Sequence, residues 1–249
     1  MPFDGPAAAP GLERANRRRA ACRSASSAAA ALCIALLCVL CTARADPVNI
    51  SRAETLLFMT PHLKDVRPPS RLHYAFHKSG TLEEGFSDTV DIDITAQTDG
   101  GKKSTVRFFS GARQVNYPDI EHVEENPVLL FYLEREIREM SRLTGGKPNY
   151  FRHRIRAALA DSAQIKDIDI RMGDRTVRAQ QITISPYESD PDRGRYERLA
   201  NKSYVFTICE TIPGVVYEMR GVVPAASGSP GDQAVIDETM TFKSAGAPR

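Results

Sequence analysis

Two groups of charged residues have the types and spacing that could do chemistry. Glu188, Asp190 and Asp192 alternate in a polar stretch between two predicted strands. Two carboxylates can act as general acid and base, as in a hydrolase, when their surroundings separate their pKa values. The same residues are also typical of a turn at Asp190-Pro191-Asp192, in which the side chains bond the local backbone. The sequence favours the turn, because nothing in it indicates burial of these acids.

The second group is basic and falls in a predicted helix. Arg152 and Arg156 lie one turn apart on one helix face, with His153 beside them. Such a group could bind a phosphate, a lipid head group or an acidic partner protein. The alternative is a solvated face whose charges balance nearby acids, which is the usual meaning of a charge run on a helix.

The common motifs of metal, nucleotide and serine-hydrolase sites are absent from the sequence after residue 45. It contains no H-E-x-x-H, no C-x-x-C, no G-x-S-x-G and neither of the glycine-rich phosphate-binding loops. His73 and His77 share one face of a predicted strand, but about 13 Å of strand separates them. That separation is too large for one metal ion. The sequence therefore predicts no metal site and no cofactor.

Most of the elements that position these groups are predicted to be strands. Residues 88–98 alternate between apolar and polar side chains, and the hairpin signal Asp99-Gly100-Gly101 leads into a returning strand over residues 103–110. The order is strands, two helices, strands, with no alternation of the parallel βαβ kind. We expect an α+β fold, mostly β: a curved antiparallel sheet, as a half-barrel or open barrel, with one or two packed helices.

The two main helices are predicted after Asn126-Pro127 and over residues 149–160. The first has an apolar stripe that should face the core: Leu130, Leu133, Ile137 and Met140. Its other face carries pairs that suit a solvated surface: Glu134 with Arg138, and Arg135 with Glu139. In the last predicted strand, residues 234–242, Glu238 interrupts an otherwise apolar face.

The first 45 residues have the order of a secretory signal peptide. A block rich in arginine precedes an apolar run over residues 28–41, and Ala43-Arg44-Ala45 fits a cleavage site. We expect cleavage after Ala45, a periplasmic or secreted location, and one strand-rich domain over residues 46–249 with a flexible tail from about Ser244. The apolar run stops short of the roughly 20 residues of a spanning helix. The alternatives are an uncleaved anchor and a lipid on Cys41, which the bulky Leu40 before it disfavours.

Charge and cysteine content narrow the class of partner. Residues 1–45 carry a charge of +4 within a chain of net charge +2, so residues 46–249 carry −2. A slightly acidic domain argues against nucleic acid as a partner. Of the five cysteines, only Cys209 lies after residue 45, so this domain can form no intramolecular disulfide.

Three stretches resemble known proteins: NPVLLFYLEREIREMSRLTGGKPNYFRHRIRAAL, SPYESDPDRGR and IPGVVYEM. They look like a family of uncharacterised exported proteins of proteobacteria, a resemblance that implies a location outside the cytoplasm but no mechanism. At the level of fold alone, a leader followed by antiparallel strands and one or two helices is similar to the half-barrel of the lipoprotein-localisation carrier family. That resemblance implies a curved sheet with a helical lid that holds acyl chains, and it assigns no binding residue.

The sequence leaves three hypotheses of function, with non-catalytic binding favoured over an enzyme. The first is binding of a lipid or other hydrophobic ligand in an apolar cleft between sheet and helices. The second is a cell-envelope interaction module whose basic helix face meets an acidic protein. The third is a hydrolase that uses the acidic loop. A continuous apolar cavity would favour the first hypothesis, and a filled interior would favour the second.

Overall fold

Nine antiparallel strands form one open sheet in the computed structural model, which describes residues 50–225 and 231–247. The order across the sheet is β4-β3-β2-β1-β9-β8-β7-β6-β5. β4 and β5 therefore form the two ends and do not pair with each other. In chain order the strands are β1 (Ser70–Ser79), β2 (Phe86–Ala96), β3 (Lys102–Phe108), β4 (Val115–Asn116), β5 (Gln164–Met172), β6 (Arg175–Ile184), β7 (Ser203–Ile208), β8 (Val216–Val223) and β9 (Ile236–Gly246).

Three α-helices accompany the sheet: α1 (Arg52–Phe58), α2 (Val128–Thr144) and α3 (Pro148–Asp161). α1 begins with a capping box between Ser51 and Glu54. α2 ends at Gly145, whose φ of 71° is the left-handed conformation that glycine adopts readily. An open antiparallel sheet with packed helices confirms the predicted fold class.

The alternating pattern of β2 explains its place in the sheet. Val90, Ile92 and Ile94 are fully buried, whereas Asp91 and Asp93 lie on the opposite face. There Asp93 forms an ion pair with Arg71 of the neighbouring strand β1, and Asp91 faces the ring nitrogen Nδ1 of His73, both at 2.6 Å. One face of these strands thus belongs to the core and the other is a lattice of ion pairs.

The core lies between the inner face of the sheet and the helices, and large side chains fill it. Its fully buried members include Tyr74, Phe76, Tyr132, Phe151 and Phe206. The predicted apolar stripe of α2 is wrong at Leu130, which is 49% exposed, while its neighbours Leu129 and Phe131 are buried. The buried sector of α2 is therefore rotated from the predicted one.

Of the two ends of the predicted domain, only the C-terminal tail falls partly within the residues that the structure describes. The predicted signal peptide, the cleavage site after Ala45 and the alternative lipid site at Cys41 lie outside the described residues. β9 continues through Gly246, which pairs with Arg71, so Ser244 lies inside a strand. No helix within residues 50–225 and 231–247 is long and apolar enough to cross a membrane.

Candidate functional site

Helix α2 carries two adjacent charged side chains, Arg135 and Glu136, into the core. Three more buried charged residues meet them from other elements: Lys78 of β1, Lys202 just before β7, and Glu238 of β9. We call these five residues the buried charge network. Burying so many ions is costly unless each is paired, so their geometry determines whether the fold is stable.

Short contacts between opposite charges hold the network together. The Lys202 ammonium lies 2.5 Å from Glu136 Oε2 and 3.9 Å from Glu238 Oε2. The Arg135 guanidinium donates to Glu136 Oε1 at 2.6 Å and forms two hydrogen bonds of 3.1 Å to the carboxylate of Glu238. Lys78 Nζ lies 3.2 Å from Glu238 Oε1. Every ion of the network thus faces an opposite charge.

The predicted surface pair of Arg135 with Glu139 is therefore wrong. Arg135 is buried, because the face of α2 that carries it packs on the sheet. The predicted pair of Glu134 with Arg138 is also absent from the ion pairs of the described residues. Glu134 instead accepts two hydrogen bonds from Arg152 of α3, at 2.9 and 2.8 Å.

Burial and mutual repulsion separate the two carboxyls of the network. Full burial, and then the facing carboxylate of Glu238, raise the pKa of Glu136 to about 7. Burial also favours the neutral form of Glu238, but the Lys202 ammonium and the Arg135 guanidinium hold the pKa of this carboxyl below its usual value. Glu136 is therefore the group of this pair that takes up a proton first as the pH falls.

Gly221 of β8 leaves room for the network. A Cβ at this position would lie 3.0 Å from Glu136 Oε2, 3.2 Å from the Tyr132 hydroxyl and 3.3 Å from Lys202 Cε. The Tyr132 hydroxyl has no hydrogen-bond partner among the described residues, and burial raises its pKa well above the usual value. β8 can approach α2 this closely because residue 221 has no side chain.

The network opens at one end into a surface cleft of about 460 Å³. Lys78 and Arg135 belong to both the network and the cleft. The lining holds five cations, three carboxylates and four apolar or aromatic side chains, from α2, β1, β2, β4 and the adjacent loops. They are Lys78, Arg113, Arg135, Arg138 and Arg142; Glu83, Glu84 and Glu139; and Phe86, Phe109, Val115 and Tyr117. We call this site the arginine cleft.

Aromatic rings hold the arginines of the cleft in place. The guanidinium carbon of Arg113 lies 4.7 Å from the centre of the Phe86 ring, and that of Arg138 lies 5.7 Å from the Tyr117 ring. The guanidinium of Arg135 lies 5.5 Å from the Phe109 ring. Phe109 has a φ of 66°, a left-handed conformation that bulky side chains seldom adopt. Backbone strain of this kind is concentrated at functional sites.

The charges of the arginine cleft are not all compensated. Arg142 lies 2.8 Å from Glu83 and 2.7 Å from Glu139, and Arg113 lies 3.1 Å from Asp88. Arg138, by contrast, is exposed and forms no ion pair with any residue that the structure describes. The cleft therefore offers an aromatic surface and an unpaired guanidinium side by side.

The predicted basic group lies on α3, and its members differ in availability. Arg152 is occupied by Glu134 and by Asn149, whose Oδ1 accepts a hydrogen bond of 2.5 Å. His153 and Arg156 are exposed and make no ion pair within the described part of the chain. Two of the three predicted residues are therefore exposed and without an ion pair among the described residues.

The acidic loop contains one buried carboxylate, contrary to the expectation that its acids are solvated. Asp190 accepts a hydrogen bond of 2.6 Å from the Tyr150 hydroxyl and one of 2.8 Å from the Asp192 backbone, and lies 3.2 Å from Arg154 Nε. Glu188 is exposed and Asp192 is partly exposed. The contacts of Asp190 fasten this loop to α3, so they explain its burial without a catalytic role.

The residues that line the arginine cleft were not singled out by the sequence as a site. Their positions span residues 78–142, and only the fold brings them together. One signal pointed to the network behind them: Glu238 stands on a strand face that is otherwise apolar. A charge at such a position needs a buried partner.

Comparisons with known proteins give only a weak likeness of fold. No protein-family model matches the sequence, and no curated protein matches it. The crystal structure of MucB has 12% sequence identity to this chain and a TM-score of 0.33. The match covers 76% of this chain and 57% of MucB, so this chain spans little more than half the length of MucB. The lipoprotein LppX of Mycobacterium tuberculosis has 9% identity and a TM-score of 0.31, with 72% of this chain and 87% of LppX covered. A LolA-superfamily protein from Nitrosomonas europaea has 8% identity and a TM-score of 0.21, with 79% and 94% covered. At these identities and TM-scores the likeness is weak and concerns the fold alone.

Proposed function

We propose that this protein is exported from the cytoplasm and is a non-catalytic binding protein for a hydrophobic ligand that carries an acidic group. The observation that supports binding is the arginine cleft, which has a volume of about 460 Å³. Aromatic rings line it together with the guanidinium of Arg138, which forms no ion pair with any described residue. That volume falls within the range of about 300–1,000 Å³ that is typical of small-molecule sites. The order of charged, apolar and small residues before Asp46 supports export.

The aromatic side of the cleft suits the apolar part of the ligand. Phe86, Phe109 and Tyr117 line it, with Val115 beside them. Their rings contact one another or the core, as Phe86 and Phe109 do at 5.7 Å between ring centres, so they form a continuous wall. A chain of methylene groups or a ring laid on this wall would lose its contact with water, which is favourable.

The charge of the cleft suits an acidic group. Five cations and three carboxylates line it, and Lys78, Arg113, Arg135 and Arg142 are each paired with a carboxylate. Among the cations, Arg138 has no acidic partner in the described residues and is exposed at the surface. A guanidinium can donate two parallel hydrogen bonds to a carboxylate or phosphate, which makes arginine well suited to such a ligand.

The core between sheet and helices is filled, which favours the interaction module over a ligand held in that core, so the ligand that we propose lies at the surface instead. The inner face of the sheet is occupied by large side chains such as Tyr74, Phe76 and Phe206, and by the buried charge network. An apolar chain would have to displace them to enter between sheet and helices. The ligand that this geometry supports therefore lies along the cleft, with its acidic group toward Arg138.

A titration calorimetry experiment tests the proposal with a long-chain fatty acid and the alcohol of the same length. We expect the acid to bind and the alcohol to bind on the order of tenfold more weakly, since a hydrogen bond to a charged group contributes about 1.5–3 kcal/mol. Arg138→Gln should weaken the acid to the level of the alcohol. Arg107→Gln, on the opposite face of the sheet, is the control. Equal binding of acid and alcohol would refute the acidic group, and no binding of either would refute the ligand class.

Interaction with an acidic envelope protein is a second candidate, supported by His153 and Arg156 of α3, which are exposed and form no ion pair with any residue that the structure describes. Arg156→Glu should remove a partner protein from a crosslinking experiment in intact cells, because it places like charges in contact. Arg67→Glu, an exposed cation outside the helices, should leave that partner in place. An unchanged partner list for Arg156→Glu would exclude this surface.

A further inference from the structure

We propose that β5 pairs with β5 of a second copy of this chain, antiparallel and around a two-fold axis at Ile170, so that one sheet continues through both molecules. This inference is independent of the arginine cleft. It rests on the free edge of β5, on the side chains of that strand and on the order of its charges.

β5 presents a long free edge. It pairs with β6 along all nine of its residues, from Gln164 opposite Thr183 to Met172 opposite Arg175. No other strand in the described part of the chain pairs with its second edge. At the other end of the sheet, β4 has only two residues. Unpaired N–H and C=O groups along a long edge form a template for another strand, whereas a very short edge strand does not.

The side chains of β5 leave an apolar row that a second copy would extend. Ile168, Ile170 and Met172 lie on one face and are only partly buried, at the margin of the core. With the axis at Ile170, each Ile170 stands opposite its own copy and Ile168 stands opposite Met172 of the second copy. Such cross-strand apolar pairs stabilise a sheet.

The order of charges on the other face selects this register. With the axis at Ile170, Asp169 stands opposite Arg171 of the second copy, and the symmetry repeats the pair. An axis at Ile168 would instead place Asp167 opposite Asp169 twice. An axis at Asp169 or at Arg171 would place that residue opposite its own copy. Of these registers, only the axis at Ile170 brings opposite charges together without facing like charges.

Both charged residues are available for this pairing. Asp169 lies 3.7 Å from Arg178, but these side chains are 58% and 81% exposed, and ion pairs in water are weak. Within the described residues, Arg171 donates only to the backbone carbonyl of Gly173. Breaking either contact when a second strand pairs with β5 would cost little free energy.

Analytical ultracentrifugation of the protein, as the cell processes it, tests the proposal. We expect a dimer whose dissociation constant rises by about tenfold or more in Asp169→Arg and in Arg171→Asp, because each change puts like charges opposite each other twice. The double variant Asp169→Arg with Arg171→Asp exchanges the charges and should restore the wild-type constant to within about threefold. Asp65→Arg, an exposed carboxylate outside the sheet, is the control.

Two results would overturn the proposal. The first is a wild-type protein that sediments as a monomer at all concentrations, which would leave the edge free or give it to a different protein. The second is a dimer that survives both single variants, which would place the interface elsewhere. Rescue by the double variant also excludes misfolding as the reason for dissociation, since it contains both substitutions.

Discussion

At the scale of single residues, the molecule is governed by charges that its core encloses. Arg135, Glu136, Lys202 and Glu238 are all buried and contact one another across elements that are far apart in the chain. A buried ion pair is weak support for stability, but removal of one partner leaves an uncompensated charge in the core. The network therefore constrains α2, β7 and β9 to a single arrangement.

Glu136 gives the stability of the protein a dependence on pH near neutrality. Its ordinary pKa is 4.5, and burial facing Glu238 raises it to about 7 in the folded protein. The folded state thus holds this proton more tightly than the unfolded chain does. The resulting stabilisation is present below the ordinary value and is lost as the pH rises through about 7. Glu238, with a lowered pKa, has the opposite sign and acts in acid.

We therefore expect the free energy of unfolding to fall between about pH 5 and pH 8 more steeply in the wild type than in Glu136→Gln, which cannot release this proton. Urea denaturation across that range measures the difference. Groups outside the network contribute equally to both proteins and cancel, and Glu238, whose pKa is lowered, titrates below this range. Parallel pH profiles would show that Glu136 does not titrate there.

Lys202→Met should be strongly destabilising. It removes the ammonium that lies 2.5 Å from Glu136 and leaves this buried carboxylate only Arg135 as an ion-pair partner among the described residues. We expect a loss of about 3–5 kcal/mol in urea denaturation. The matched control is Arg220→Gln, whose pair with Asp237 is as short, at 2.5 Å, but is 44% exposed at the arginine. That change should cost less than about 1 kcal/mol. Similar losses would contradict the importance of burial.

The surroundings of a residue could be predicted from the sequence only where its contacts lie nearby in the chain. Glu238 stood out as a charge on an apolar strand face, but its partner Arg135 is 103 positions away, and no local pattern connects them. Asp190 appeared solvated for a similar reason, since Tyr150, which buries and bonds it, is 40 positions away. The sequence thus marked Glu238 as an unusual charge but did not identify Arg135 as its partner.

At the scale of elements, local patterns were sufficient to locate the strands predicted over residues 88–98, 103–110 and 234–242. The alternation over residues 88–98 corresponds to β2 within two residues at each end, because side chains of a strand alternate between its faces regardless of its partners. Helix α2 was located correctly, but its buried face was misjudged. Leu130 is exposed and Arg135 is buried, because contacts with the sheet and not the apolar stripe alone decide the rotation of the helix.

The packing of β8 on α2 gives a test at this scale. Gly221→Ala would place a methyl group 3.0 Å from Glu136 Oε2, so this buried carboxylate, which lies 2.5 Å from Lys202, would have to shift. We expect a loss of about 1–3 kcal/mol. Gly194→Ala is the control, since a Cβ there would contact nothing within 4 Å and its φ is not positive. If both variants unfold at the same urea concentration, β8 is not held against the network as closely as the structure indicates.

At the scale of the whole molecule, the two proposed surfaces lie at different ends of the sheet. The arginine cleft draws on β1, β2 and β4, whereas pairing between molecules uses β5, at the opposite end of the strand order. Binding of a ligand and association of two copies should therefore be independent. Asp169→Arg should leave fatty-acid affinity unchanged, and calorimetry on that variant measures this directly.

Export is a property of the complete chain. If the first 45 residues are a signal peptide, the protein recovered from the cell envelope should have the intact mass of residues 46–249 with Asp46 at its N-terminus. Mass spectrometry of the protein expressed from its full sequence measures this. A product that retains Met1 or residues 2–45 would contradict cleavage, and an added lipid mass on Cys41 would show an anchored form instead.

Broadening of NMR signals by a spin-labelled ligand tests most directly whether the ligand binds in the arginine cleft. A fatty acid with a nitroxide on its chain, added to ¹⁵N-labelled protein, should broaden the amide signals of Phe86, Phe109 and Tyr117 first, and Arg138→Gln should need about tenfold more acid for the same broadening. Broadening that is centred on another surface, or that persists undiminished in the variant, would mean that the arginine cleft is not where this protein binds its ligand.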